Sequence, residues 1–94
     1  MAITLAKTTA GMVSGVQIPE SDIAVFKGIP FAAPPVGENR WKAPQPVDPW
    51  EGVRKAEAFM PAAWQSMHQK GSFYDREWEN PPFECSEDCL YLNV

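Results

Sequence analysis

The sequence predicts an α/β fold seen from its opening segment, on three observations. The last six residues, Cys89 to Val94, are apolar or aromatic at every position but Asn93, the pattern of a strand buried on both faces in a helix-covered sheet. Residues 3–29 carry apolar side chains at about every second position between turn signals, which reads as short antiparallel strands. Ten prolines, about twice the usual share of roughly 5%, break the middle of the chain into pieces too short for long helices. The expected architecture is a small antiparallel β meander, a proline-rich connector, an aromatic loop and then the first strand of a main sheet. It is incomplete as a domain, because nothing in the sequence covers both faces of that strand.

Each element follows from local chemistry. Residues 3–9 and 11–18 alternate, with Gly11 and Gly15 as punctuation, and Pro19-Glu20-Ser21-Asp22 is a turn signal. Residues 23–29, Ile-Ala-Val-Phe-Lys-Gly-Ile, supply the β-branched and aromatic residues of a third strand. Residues 30–49 hold six prolines, a density that permits only extended and turn backbone. Phe31, Trp41 and Trp50 are expected to anchor this connector by burying their rings on a neighbouring surface. Residues 54–60 are long enough for one or two helical turns before Pro61 and residues 64–71 are equally ambiguous, so short irregular pieces are expected in both. Residues 72–88 combine Phe73, Tyr74, Trp78 and Phe83 with six acidic groups, and Asn80-Pro81-Pro82 forbids a continuous helix. A loop that is acidic outside and aromatic inside results.

Composition narrows the function. A net charge of −4 with eight scattered Lys and Arg residues argues against nucleic acid, whose partners cluster basic groups to replace phosphate counterions. No apolar window approaches the roughly 18 residues of a membrane span. Lys7 interrupts the stretch where a secretory signal would need its apolar core, and two cysteines are too few for a disulfide scaffold. A cytoplasmic location is the expectation. No motif implies a cofactor.

Two phrases stand at a fixed distance: Val25-Phe-Lys-Gly-Ile-Pro-Phe-Ala-Ala-Pro-Pro-Val-Gly37 with Arg40-Trp41, and Ser86-Glu-Asp-Cys-Leu-Tyr-Leu-Asn-Val94. Together they resemble the N-terminal segment of type-B carboxylesterases, the α/β-hydrolase family that includes cholinesterases and bacterial nitrobenzyl esterases. Ala43-Pro44, Trp50-Glu51-Gly52-Val53, Ala56, Phe59 and Gln65 also look like family positions. The resemblance covers essentially the whole chain. It implies that residues 1–94 are a partial α/β-hydrolase domain truncated at its C-terminal end. It also implies a serine esterase acting on carboxylic esters, with a Ser, Glu or Asp, and His triad and a glycine-rich oxyanion loop. Those parts lie downstream in the family, and no Gly-x-Ser-x-Gly phrase occurs here. No catalytic residue is therefore expected within the chain. The same family includes adhesion proteins that keep the fold without a working triad, so a non-catalytic interaction module is the alternative, and a truncated reading frame without function is a third.

Several residues invite sharper readings. His68, the single histidine, has Ser66 and Ser72 nearby, yet neither serine sits in a strand-to-helix turn, and a loop histidine is the plainer reading. Cys85, Cys89 and His68 suggest zinc, but the cysteine spacing is one residue wider than Cys-x-x-Cys and no fourth strong ligand is apparent. In many family members the cysteine in the place of Cys89 closes the aromatic loop by a disulfide to a Phe-x-Pro-Ala-Cys phrase. Here the phrase reads Phe59-Met60-Pro61-Ala62-Ala63. A Cys85–Cys89 bridge is disfavoured if Cys89 opens an extended strand, because the Cα separation then exceeds about 7 Å, so two free thiols are expected. The family pattern pairs Arg40 with Glu87, an ion pair that in a longer protein is expected to be buried and to pin the connector to the base of the closing strand; two solvated charges are the plainer alternative. Trp78 matches an aromatic of the cholinesterase gorge if a one-residue gap is allowed. Its ring then offers a cation–π face, against simple packing within the loop.

Overall fold

Strands form where the apolar alternation is tightest. In the computed structural model, which describes residues 3–66, 69–73, 76 and 83–94, β1 (Leu5–Lys7) and β2 (Met12–Ser14) pair antiparallel with Ala6 opposite Val13. Thr8 closes the intervening turn: its hydroxyl donates to the Gly11 carbonyl at 2.7 Å and accepts from the Gly11 amide at 3.1 Å. The run then breaks at Gly15, and β3 (Val16–Gln17) pairs antiparallel with β4 (Ala24–Val25). A side chain at Gly15 would meet the Val25 carbonyl and, at 2.9 Å, the Phe26 ring. The meander is thus present, with its middle run broken where the backbones approach too closely for a Cβ.

Where short irregular pieces are expected, the stretch that follows Gly52 begins as a strand. β6 (Val53–Lys55) lies parallel to β2, giving the order β1-β2-β6, and the Ala56 amide continues the ladder to the Ser14 carbonyl at 2.7 Å. An open strand edge supplies tertiary hydrogen bonds at once, whereas helices shorter than about 12–15 residues are marginal. β5 (Ile29–Pro30) pairs antiparallel with β7 (Tyr91–Leu92). Reciprocal bonds of 2.8 Å between Phe26 and Val94 extend this ladder. Between the two halves, the connector carries one 3-10 turn, Gly37–Asn39, and is cinched by the Ala33 amide on the Gln45 carbonyl at 2.9 Å.

Among the described residues only Val13, Ala32 and Ala56 form a buried apolar core, all of them small. The molecule measures 45 × 43 × 16 Å with a radius of gyration of 16.1 Å, where a compact chain of this length has about 12 Å. It exposes 7523 Å², and a folded monomer of this mass exposes about 5,400 Å². The excess of about 2,100 Å² is the area one partner buries in a large, obligate type of interface. The closing strand is shorter than the apolar run, Tyr91–Leu92, and only partly covered: Cys89, Leu90 and Tyr91 are half-buried, while Leu92 and the following Val94 are 39% and 73% exposed.

Candidate functional site

Two phrases distant in sequence are brought together by direct bonds. The Asn93 side-chain oxygen accepts from the Gly28 amide at 3.0 Å, across 65 positions of sequence. That bond ties the start of the Gly-Ile-Pro-Phe-Ala phrase to the end of the Asp-Cys-Leu-Tyr-Leu-Asn phrase. Further along, the Phe31 amide donates to the Leu90 carbonyl at 3.1 Å. Gly28 is required here, since its φ is +79° and a Cβ would lie 2.6 Å from the Met60 side chain and 2.8 Å from the Ala58 carbonyl.

The second tie is ionic. Arg40 follows the 3-10 turn and Glu87 lies in the loop before β7; one guanidinium nitrogen, Nη2, is 2.7 Å from Glu87 Oε2 and 2.7 Å from Oε1. A single nitrogen straddles the carboxylate. The two side chains remain 54% and 40% exposed, so within this chain the pair is not the buried one that a longer protein is expected to hold. Around it opens a cleft of about 500 Å³ bordered by Pro35, Trp41, Ala63, Trp64 and Cys89. Trp41 is 97% exposed and held at φ +66°, a region that bulky side chains rarely adopt. Trp64 is 72% exposed. Of the three rings expected to anchor the connector, Trp50 alone does so: its indole N–H donates to the Met12 carbonyl at 2.8 Å and Arg54 stacks 5.5 Å from its ring. Phe31 and Trp41 stay outside because these residues build no surface deep enough to receive them.

Tyr91 adds a polar cluster that the sequence did not flag. Its hydroxyl donates to Asp88 Oδ2 at 3.0 Å. Burial, then the hydrogen bond to Asp88 and the charge of that carboxylate, raises its pKa above the ordinary value, with Arg54 pulling the other way. A tyrosine next to an acidic residue three positions earlier gives no periodic signal.

Cys85 and Cys89 are both free thiols, each half-buried. Among the described residues no group of three or more His, Cys, Asp or Glu side chains gathers to hold a metal ion, and no helix is long and apolar enough to cross a membrane. Trp78 and His68 lie outside the described residues.

Paired strands, a proline-rich connector and a closing strand tied back to it are the opening part of an α/β hydrolase. A solved PNB esterase superposes with a TM-score of 0.77 at 37% identity over 96% of this chain and 17% of its own. Residues 3–94 match the carboxylesterase family, and the chain belongs to it, as an N-terminal segment of the type-B kind. It is 42% identical over 90 residues to an acetylcholinesterase of Bungarus fasciatus, covering 93% of this chain. It is 44% identical over 90 residues to a phenmedipham hydrolase of Pseudarthrobacter oxydans, covering 96% of it. The chain spans only 15% and 17% of those two relatives' lengths.

Proposed function

We propose that the protein carrying this segment hydrolyses carboxylic esters by acyl transfer through a serine to water, and that residues 1–94 supply scaffold and none of the reacting groups. The observation that carries the reading is the joining of the two family phrases through Gly28–Asn93 and Arg40–Glu87. It fixes the closing strand against the meander and leaves the strand's apolar faces open to the rest of a domain. The chemistry then belongs to residues on that remaining part, where a nucleophile elbow and oxyanion donors are needed.

A fluorophosphonate probe, which labels activated serines, tests both halves of the proposal. The 94-residue chain is expected to stay unlabelled and to leave aryl esters at the buffer rate. A longer protein that continues this segment is expected to be labelled at one serine and to lose activity in step. A longer, folded protein that takes no label would overturn the esterase reading in favour of an interaction module. Labelling of the short chain that disappears on Ser66→Ala would overturn the assignment of the chemistry elsewhere.

A further inference from the structure

We propose that β1 is a self-association edge, to which a second copy of this chain adds its own β1 antiparallel about a two-fold axis at Leu5. β1 is the outer strand of the order β1-β2-β6, so one side of its backbone has no strand beside it. Which groups point that way follows from the register. The Thr4 carbonyl accepts from the Gly15 amide and the Thr8 amide donates to the Gly11 carbonyl, each at 2.8 Å, and Ala6 stands opposite Val13 between them. Thr4, Ala6 and Thr8 therefore bond towards β2. Because bonding alternates along an antiparallel pair, the amides and carbonyls of Leu5 and Lys7 are directed to the open edge.

That edge has little to repel another strand. Edges are blunted by proline, a bulge or a charge set within the strand. Residues 3–7, Ile-Thr-Leu-Ala-Lys, contain no proline and carry their one charge at the end. Ile3 and Leu5 are 75% and 50% exposed, so apolar side chains lie beside the unpaired backbone.

Charge and apolar pairing select the register. An axis at Lys7 sets two ammonium groups opposite each other, which is unfavourable, and an axis at Ala6 sets each Leu5 against a lysine. With the axis at Leu5, Leu5 meets the partner's Leu5 and each Lys7 meets the partner's Ile3. Opposite residues then exchange bonds through the groups that β2 leaves free. The two sheets become one of six strands, whose outward face carries Leu5, Met12 and Val53 from both copies. Surface is not limiting: the chain exposes about 2,100 Å² beyond a folded monomer of its mass, and a stable dimer needs roughly 800 Å² from each partner.

Sedimentation equilibrium of the 94-residue chain tests the proposal. The expected result is a monomer–dimer equilibrium that stops at two copies, because a two-fold pairing uses up the edge of both. Leu5→Pro removes an edge-directed donor and spares the bonds to β2; Leu5→Lys sets like charges across the axis. Each is expected to weaken the dimer about tenfold or more. Trp41→Ser and Trp64→Ser, which alter the cleft instead, are expected to leave it unchanged. Far-UV circular dichroism checks that Leu5→Pro keeps the sheet, and if it does not, Leu5→Lys decides. A chain that stays monomeric to millimolar concentration, or association that runs on past two copies, would overturn the proposal. So would a dimer that tolerates the Leu5 changes or is lost with either tryptophan.

Discussion

Arg40 and Glu87 set the energetic question at the residue scale. An exposed ion pair contributes under about 1 kcal/mol, whereas removing one partner of a buried pair costs on the order of 3 to 5 kcal/mol by stranding a charge. With both side chains near half exposed, Arg40→Met or Glu87→Leu in the 94-residue chain should shift unfolding by no more than the exposed-pair value. In a longer protein that covers the cleft, the single changes should become costly and the double change much less so. A double-mutant cycle on both proteins checks this; small, additive effects in the longer one would mean that the cleft is never sealed.

Tyr91 makes a second prediction at the same scale. Its folded pKa lies above its unfolded value, near 10, so the folded state holds the proton more tightly. The stability linked to it is complete below about pH 10 and is lost as pH rises through the folded value. An absorbance titration of tyrosinate should show a step above the ordinary range that Tyr91→Phe abolishes. A step that survives the substitution would assign the shift to the other tyrosine.

Among the elements, the antiparallel meander and the closing strand were legible because alternation and a continuous apolar run are local signals. β6 was not. Its residues, Val53-Arg54-Lys55, carry no alternation long enough to distinguish strand from helical turn, and the parallel partner lies about forty positions away at β2. The Asn93 to Gly28 strut was equally silent, since Asn93 read only as an interruption of an apolar run. Arg40 and Glu87 were found through the family phrases and not through any spacing rule. Gly28 gives the sharpest test of the strut. With φ at +79° and a backbone carbonyl 2.8 Å from where a Cβ would stand, Gly28→Ala meets both steric and conformational cost. It should destabilise by more than about 1 kcal/mol, while Gly37→Ala, in open space, should lose only the smaller conformational part. Equal losses in chemical denaturation would remove Gly28 from the joint.

For the whole molecule, the small buried core and the excess exposed area lead to one expectation. The isolated chain should bind ANS strongly and unfold over a broad range, as a loosely packed state does. Calorimetry with one sharp, reversible transition, together with weak ANS binding, would show that the slab is stable by itself. The prolines moderate this, because connector residues held near φ −65° lose little freedom on ordering.

The 16 Å thickness of the slab also has a consequence in time. In a relative of which this chain is 15%, most of synthesis follows the emergence of these residues, and at about 5–20 residues per second that interval is on the order of tens of seconds. β-Hairpins form on the order of microseconds. The paired strands can therefore exist long before their cover is translated, with Trp41, Trp64 and Val94 bare to the crowded space outside the ribosome. Such a nascent sheet is a natural client for a holdase chaperone until later residues arrive to bury it.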